Sequence, residues 1–162
     1  MAKVALLMGS ASDLPKIQSC IDTLKSLEIE CEVRVMSAHR TPDLVAEYTE
    51  NAAKNGISVL IAAAGGAAHL AGAIAARTLL PVIGIPVEGG ALNGLDALLA
   101  TVQMPGGIPV ATVGVGSGGA TNAALLAAQI IAVNDEAVRA RLQADRDKRR
   151  QKVIDSDAKL QA

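Results

Sequence analysis

The chain contains no phenylalanine, no tryptophan and a single tyrosine, Tyr48. Its core must therefore be built from Ala, Val, Ile and Leu, and alanine alone occurs 31 times in 162 residues. Small side chains let helices approach a sheet closely. They also bury little area each, at ~25 cal/mol per Å², so a chain this short gains from sharing a core with copies of itself. Charge is scarce in the middle: between Ile57 and Asn134 only Arg77, Glu88 and Asp96 are charged, three in 78 residues. A surface so poor in charge is expected to face other subunits, and a homo-oligomer is expected on that ground. No run of about 18 apolar residues escapes interruption by Gly, Pro, Asn or charge, which argues against a membrane span. The net charge of −1 leaves no basic footprint, so no nucleic-acid partner is expected. The two cysteines, Cys20 and Cys31, lack CxxC or metal-ligand spacing and read as reduced thiols of a cytoplasmic protein. The apolar start, Val4–Met8, is too short for a signal peptide and leads into a turn.

What is present fits a folded core, with 51% apolar and 19% charged residues, in a length of one domain spanning 1–162. The pattern alternates. Strands are expected at Val4–Met8, Cys31–Met36, Ser58–Ala64, Val82–Ile85 and Val110–Val115. Helices are expected from a Ser12 or Asp13 cap to about Leu27, from Thr41-Pro42-Asp43 to about Asn55, over Ala67–Leu79, Gly94–Val102 and Ala120–Asn134. A charged helix from Asp135 to about Leu160 closes the chain. Its last 28 residues carry eight basic and six acidic side chains with interspersed signs, which reads as a solvated helix or one crossing onto a neighbouring subunit. Strand and helix in strict alternation define an α/β doubly wound sheet, mostly parallel.

In such sheets ligands bind outside the carboxyl ends of the strands. Those ends carry Gly9–Asp13, Ser37–Pro42, Gly65–Leu70, Pro86–Gly90 and Gly114–Gly119, and both histidines of the chain fall among them. Glycine and two hydroxyls before a helix can hold an anion, or can simply cap the helix. Arg40 offers a planar fork for phosphate or carboxylate, or a surface ion pair. Gly65-Gly66 allows the backbone close to a ligand, and His69 follows in an alanine-rich first turn suited to a neutral proton-transfer histidine. The Gly114–Gly119 run fits G-x-G-x-x-G but follows the fifth strand, with no acidic residue about 20 positions on, so dinucleotide binding is not expected. No Walker motif or metal-ligand cluster is present in the sequence, and no metal or organic cofactor is expected. Taken together these residues suit a small anionic ligand bearing hydroxyls, a phosphorylated sugar or a nucleotide, with one or two histidines for proton transfer.

Read in order, Met8-Gly-Ser-Ala-Ser-Asp13, Ser37-Ala-His-Arg-Thr-Pro42, Ala64-Gly-Gly-Ala-Ala-His-Leu70, Gln103-Met-Pro-Gly-Gly-Ile-Pro109 and Asn122-Ala-Ala-Leu-Leu-Ala-Ala128 resemble the N5-carboxyaminoimidazole ribonucleotide mutase family, from about Val4 to Leu142. The resemblance implies a flavodoxin-like three-layer subunit assembled as an octamer. It implies transfer of a carboxylate from the exocyclic nitrogen to carbon 4 of a phosphoribosyl-imidazole, through released and recaptured CO2, in purine (IMP) biosynthesis. By the same resemblance Ser10, Ser12, Ser37 and Arg40 hold the phosphate region, Asp13 the ribose hydroxyls, and Ala38, Gly65, Ala67, Ala68 and Leu70 line the pocket. His69 shuttles the proton and His39 lies against the carboxylate. The chain departs from the family pattern at Ala71, where His-Leu-Pro-Gly is usual, at Leu14, and at Glu88. Arg40 and His69 favour the mutase over a carboxylase of the same fold that takes CO2 directly. A non-catalytic nucleotide-binding domain is the third reading.

Overall fold

The computed structural model describes residues 2–161. Five strands form one sheet in the order β2-β1-β3-β4-β5, every pairing parallel. They are β1 (Lys3–Met8), β2 (Glu30–Val35), β3 (Ile57–Gly65), β4 (Val82–Val87) and β5 (Ala111–Thr112). Between and after them run α1 (Leu14–Ser26), α2 (Pro42–Asn51), α3 (Leu70–Ala75), α4 (Leu95–Val102), α5 (Ser117–Ala132) and α6 (Glu136–Leu160). The 2-1-3-4-5 order is that of flavodoxin-like sheets, as the family resemblance implied.

Alternation along the buried strands divides the core into two layers. Val4, Leu6 and Met8 of β1, with Val59, Ile61 and Ala63 of β3, face α1 and α5. Ala5 and Leu7, with Leu60 and Ala62, face the layer of α2 and α3. The alanine content acts here: Ala120, Ala123, Ala124, Ala127 and Ala128 lay a flat, fully buried face of α5 against α1 and the sheet. On the other face Gly84 lets α4 sit close, since a Cβ there would collide with the Thr101 methyl. Among the described residues no helix is long and apolar enough to cross a membrane.

Element boundaries differ from expectation in several places; α2 ends at Asn51 rather than about Asn55, and α5 begins at Ser117 rather than Ala120. Helix α3 is six residues rather than Ala67–Leu79, because Gly66 at φ +60° keeps the chain in a turn and the segment opens again before Pro81. Strand β5 pairs over two residues only, although Val113 still donates to the Gly84 carbonyl at 3.1 Å. Strand β4 runs on through Pro86, which is tolerated because β5 has ended and that edge needs no donor. Neither Ser12 nor Asp13 caps α1 through its side chain; instead the Ser10 hydroxyl accepts from the Ser12 amide and caps a single 3-10 turn ahead of the helix.

The final helix, α6, has one fully buried residue, Val138. Its first turns are held by Asp135, whose carboxylate caps the Val138 amide, and by Arg141, whose Nε donates to the Leu27 carbonyl at 2.7 Å. The later turns are solvated and supported by pairs four apart, such as Arg149 with Asp145.

Candidate active site

Strand order reverses between β1 and β3, and a crevice opens outside the carboxyl ends of the strands there. A cleft of ≈ 440 Å³ occupies it, walled by the segments that follow β1, β2 and β3. Ten of the twelve residues predicted for the site line it: Ser10, Asp13, Ser37, Ala38, His39, Arg40, Gly65, Ala67, His69 and Leu70. Ser12 and Ala68 do not. Ser12 spends its hydroxyl on Ser10, Oγ to Oγ 2.8 Å, and Ala68 is buried at 2% exposure. Gly9, part of the candidate anion segment, and Ala64, at the end of β3, also line the cleft. Both lie at the strand ends that the placement rule already marks.

The segment after β2 is a closed turn. The Ser37 amide donates to the Thr41 hydroxyl and the Thr41 amide to the Ser37 carbonyl, both at 2.9 Å. This knot presents His39 and Arg40 on one short arc. The Arg40 guanidinium is anchored twice, Nε to the Ser37 hydroxyl at 3.4 Å and Nη2 to the Gly9 carbonyl at 2.8 Å. Of its five N–H donors at least three remain for an anion. The Ser37 hydroxyl accepts from both the amide and the Nε of Arg40, which helps to position the arginine and leaves its own O–H to donate.

After β3 the backbone needs both glycines. A Cβ on Gly65 would lie 3.2 Å from the Val87 carbonyl oxygen, and Gly66 has φ +60°. The turn they make brings His69 to the cap of α3, one position ahead of the helix in which it was expected. Its Nδ1 lies 2.7 Å from Nε2 of His39, with the rings near perpendicular at 82°. At that distance one nitrogen carries the proton and the other accepts it. Asp13 also lines the cleft. Burial raises its carboxyl above the ordinary value, against the opposing pull of Lys16, a Ser10 backbone hydrogen bond and Arg40.

Two other features are separate from this cleft. A larger groove of ≈ 640 Å³ lies between Ala75–Val82 and Gly107–Ala111, at the amino ends of β4 and β5, with neither histidine near it. The Gly114–Gly119 run is a packing device: a Cβ on Gly119 would collide with the Gly114 carbonyl, so the loop folds onto the start of α5. Among the described residues no group of three His, Cys, Asp or Glu side chains is placed to hold a metal ion.

The fold and the cleft define a class: a flavodoxin-like α/β protein with a hydrogen-bonded histidine pair and an anchored arginine at the topological switch point. The profile of the AIR carboxylase family matches residues 3–152. The chain belongs to that family. It is 52% identical over 157 residues to the N5-carboxyaminoimidazole ribonucleotide mutase of Bacillus subtilis, covering 97% of each chain. It is 52% identical over 155 residues to the mutase of the same name from Haemophilus influenzae, covering 96% of this chain and 94% of the other. The crystal structure of Treponema denticola PurE superposes with a TM-score of 0.89 at 30% identity over the full length of both chains. The resemblance read from the five motifs is thereby upheld.

Proposed function

We propose that this chain is an N5-carboxyaminoimidazole ribonucleotide mutase, an isomerase that moves a carboxylate from the exocyclic nitrogen to carbon 4 of the imidazole. The observation that carries the reading is the 2.7 Å histidine pair set over the Gly65-Gly66 turn, in the same cleft as Arg40, Ser10 and Asp13. Relatives that share half the sequence over nearly the whole length support it.

The chemistry balances with one proton. The N–C bond of the carbamate breaks and CO2 leaves. Carbon 4, an enamine-like nucleophile, then attacks that CO2. Carbon 4 loses a proton and the exocyclic nitrogen gains one. The protein's tasks are to retain CO2, orient it and carry the proton. The Nδ1 of His69 is committed to His39, which leaves Nε2 to meet the substrate. When His69 takes the ring proton at Nε2 it can pass the proton on Nδ1 to His39, so the positive charge moves to the ring beside the substrate carboxylate. The reverse passage re-arms His69 as the acid toward nitrogen. The family resemblance implies a shuttle by His69 with His39 against the carboxylate, and the hydrogen bond between them supports a shared role.

The remaining roles follow from chemistry. Arg40 and Ser10 hold the phosphate, Asp13 accepts from the ribose hydroxyls, and Gly65, Ala67 and Leu70 shape an enclosing wall. We further propose one functional domain, a homo-octamer, a cytoplasmic location and no metal or organic cofactor. The octamer is supported by the exposed apolar side chains of the charge-poor middle, among them Leu79, Leu92, Leu95 and Leu99.

The test is an absorbance assay on the carboxylated product, run in reverse with a trap for the carbamate. Product loss that keeps pace with carbamate formation is expected. The family description also allows direct carboxylation of aminoimidazole ribonucleotide with CO2. Loss to CO2 and aminoimidazole ribonucleotide alone would establish that second reading, and no loss at all would leave a binding domain.

A further inference from the structure

The loop after β4 does not line the cleft but begins beside its Gly65 wall, since Gly65 pairs with Val87. Strand β4 ends at Val87, whose carbonyl oxygen lies against the Gly65 position at the cleft floor. The chain then enters a loop, Glu88–Gly94, in which Gly90, Asn93 and Gly94 all have positive φ. A loop with three left-handed residues in seven has few contacts to hold its first residue and depends on what its ends are tied to. At its far end Gly94 packs so closely that a Cβ would come within 3.0 Å of the Glu88 Cα. At its near end a single side chain reaches it: Lys16 Nζ donates to the Glu88 carbonyl at 2.7 Å, from a position 72 residues away on α1.

Lys16 lies in the first turn of α1, three residues after Asp13 at the N-cap. Its ammonium pulls the Asp13 carboxyl toward the ionised form, opposing the burial that raises it. The one polar contact of the Lys16 side chain is with the loop that leaves β4, and it ties α1 to the strand paired with the Gly65 end of β3. A lysine suits this, because its ammonium offers three donors and needs no fixed approach.

We propose that Lys16 is a positioning residue. It straps the start of the Glu88–Gly94 loop across the carboxyl edge of the sheet and keeps the Val87 carbonyl seated against Gly65. The proposal rests on the mutase reading for its kinetic consequence only; its structural consequence is independent of the reaction. Lys16 does not contact the reacting atoms, so its loss disturbs substrate binding more than the chemical step.

The experiment compares Lys16→Met, Lys16→Gln and Lys16→Arg in the full-length protein, with melting temperature as a control for folding. In Lys16→Met, KM is expected to rise about fivefold to tenfold with kcat within about twofold, the size of one exposed charged hydrogen bond. Amide hydrogen exchange across Gly89–Asn93 is expected to quicken by about tenfold in the same variant. Lys16→Gln, which keeps a donor without the charge, falls between, and Lys16→Arg restores both readouts toward the parent values. Unchanged exchange in Lys16→Met overturns the strap, and faster exchange with unchanged KM overturns its positioning role. A parent protein without turnover would instead strike the mutase reading, leaving the exchange measurement to decide on Lys16.

Discussion

His39 Nε2 and His69 Nδ1 are 2.7 Å apart although thirty residues separate them in the chain. The two rings come from the segments after β2 and β3, which are not neighbours in the sheet; β1 lies between them. The pair therefore forms beside the switch point, with one segment from each strand that flanks β1. Each ring is held by its own turn, the Ser37–Thr41 knot on one side and the Gly65-Gly66 turn on the other. Preorganisation of this kind requires no closing motion for the proton to pass.

If the histidines act as one unit, their loss is not additive. Replacing His69 with Asn is expected to leave folding and assembly intact and lower kcat by ~10²–10⁴, the usual contribution of a positioned acid–base group. His39→Asn is expected to fall in the same range. The double variant should be no slower than the worse single one, as for groups that serve one step. Single-turnover rates of the four proteins give the answer. Full activity in His69→Asn, or strictly multiplicative losses, would refute the shared relay.

Asp13 sets a cost in stability against a function. Its carboxyl is raised by burial, so the folded state holds the proton more tightly than the unfolded chain does. The stability linked to this group is present below the ordinary Asp value and is lost as pH rises through the folded value. At neutral pH the ionised carboxylate therefore destabilises the fold. Asp13→Asn is expected to raise the melting temperature by about 1–2 °C at pH 7, a difference that fades as pH falls below the ordinary carboxylate range. The same change should raise KM, because a ribose-binding acceptor is lost. Melting curves across pH check the first claim, and a lower melting temperature at pH 7 would contradict it.

Much of this architecture is legible in the residues, for identifiable reasons. Strands β1 and β3 are continuous apolar runs buried on both faces, so they are found within a residue or two. The cleft is found because the placement rule needs only strand ends, and both histidines stand there. The shortened α3 is not legible, because alanine favours helix all the way to Arg77 while Gly66 and the turn before Pro81 override it. The contact of Ser37 with Arg40 is hidden for a related reason: a serine's place in a motif does not show which neighbours its hydroxyl accepts from. Lys16 is invisible in sequence because its partner is a backbone carbonyl 72 positions away.

The glycine run before α5 separates two meanings of one motif. A dinucleotide loop needs its glycines for the approach of a pyrophosphate, whereas here the need comes from the protein itself. A Cβ on Gly119 would collide with the Gly114 carbonyl and come within 2.5 Å of its carbon, and both belong to backbone that cannot move aside. Gly118 has nothing within 4 Å of its own Cβ position, and it lies inside α5. Gly119→Ala is therefore expected to cost at least ~3 kcal/mol, because α5 supplies the alanine face that packs on α1. Gly118→Ala should be neutral or stabilising by up to about 1 kcal/mol, the difference in helix propensity. Denaturant unfolding of the two variants tests this. Equal stabilities would mean that the loop yields, and that the glycines serve something other than packing.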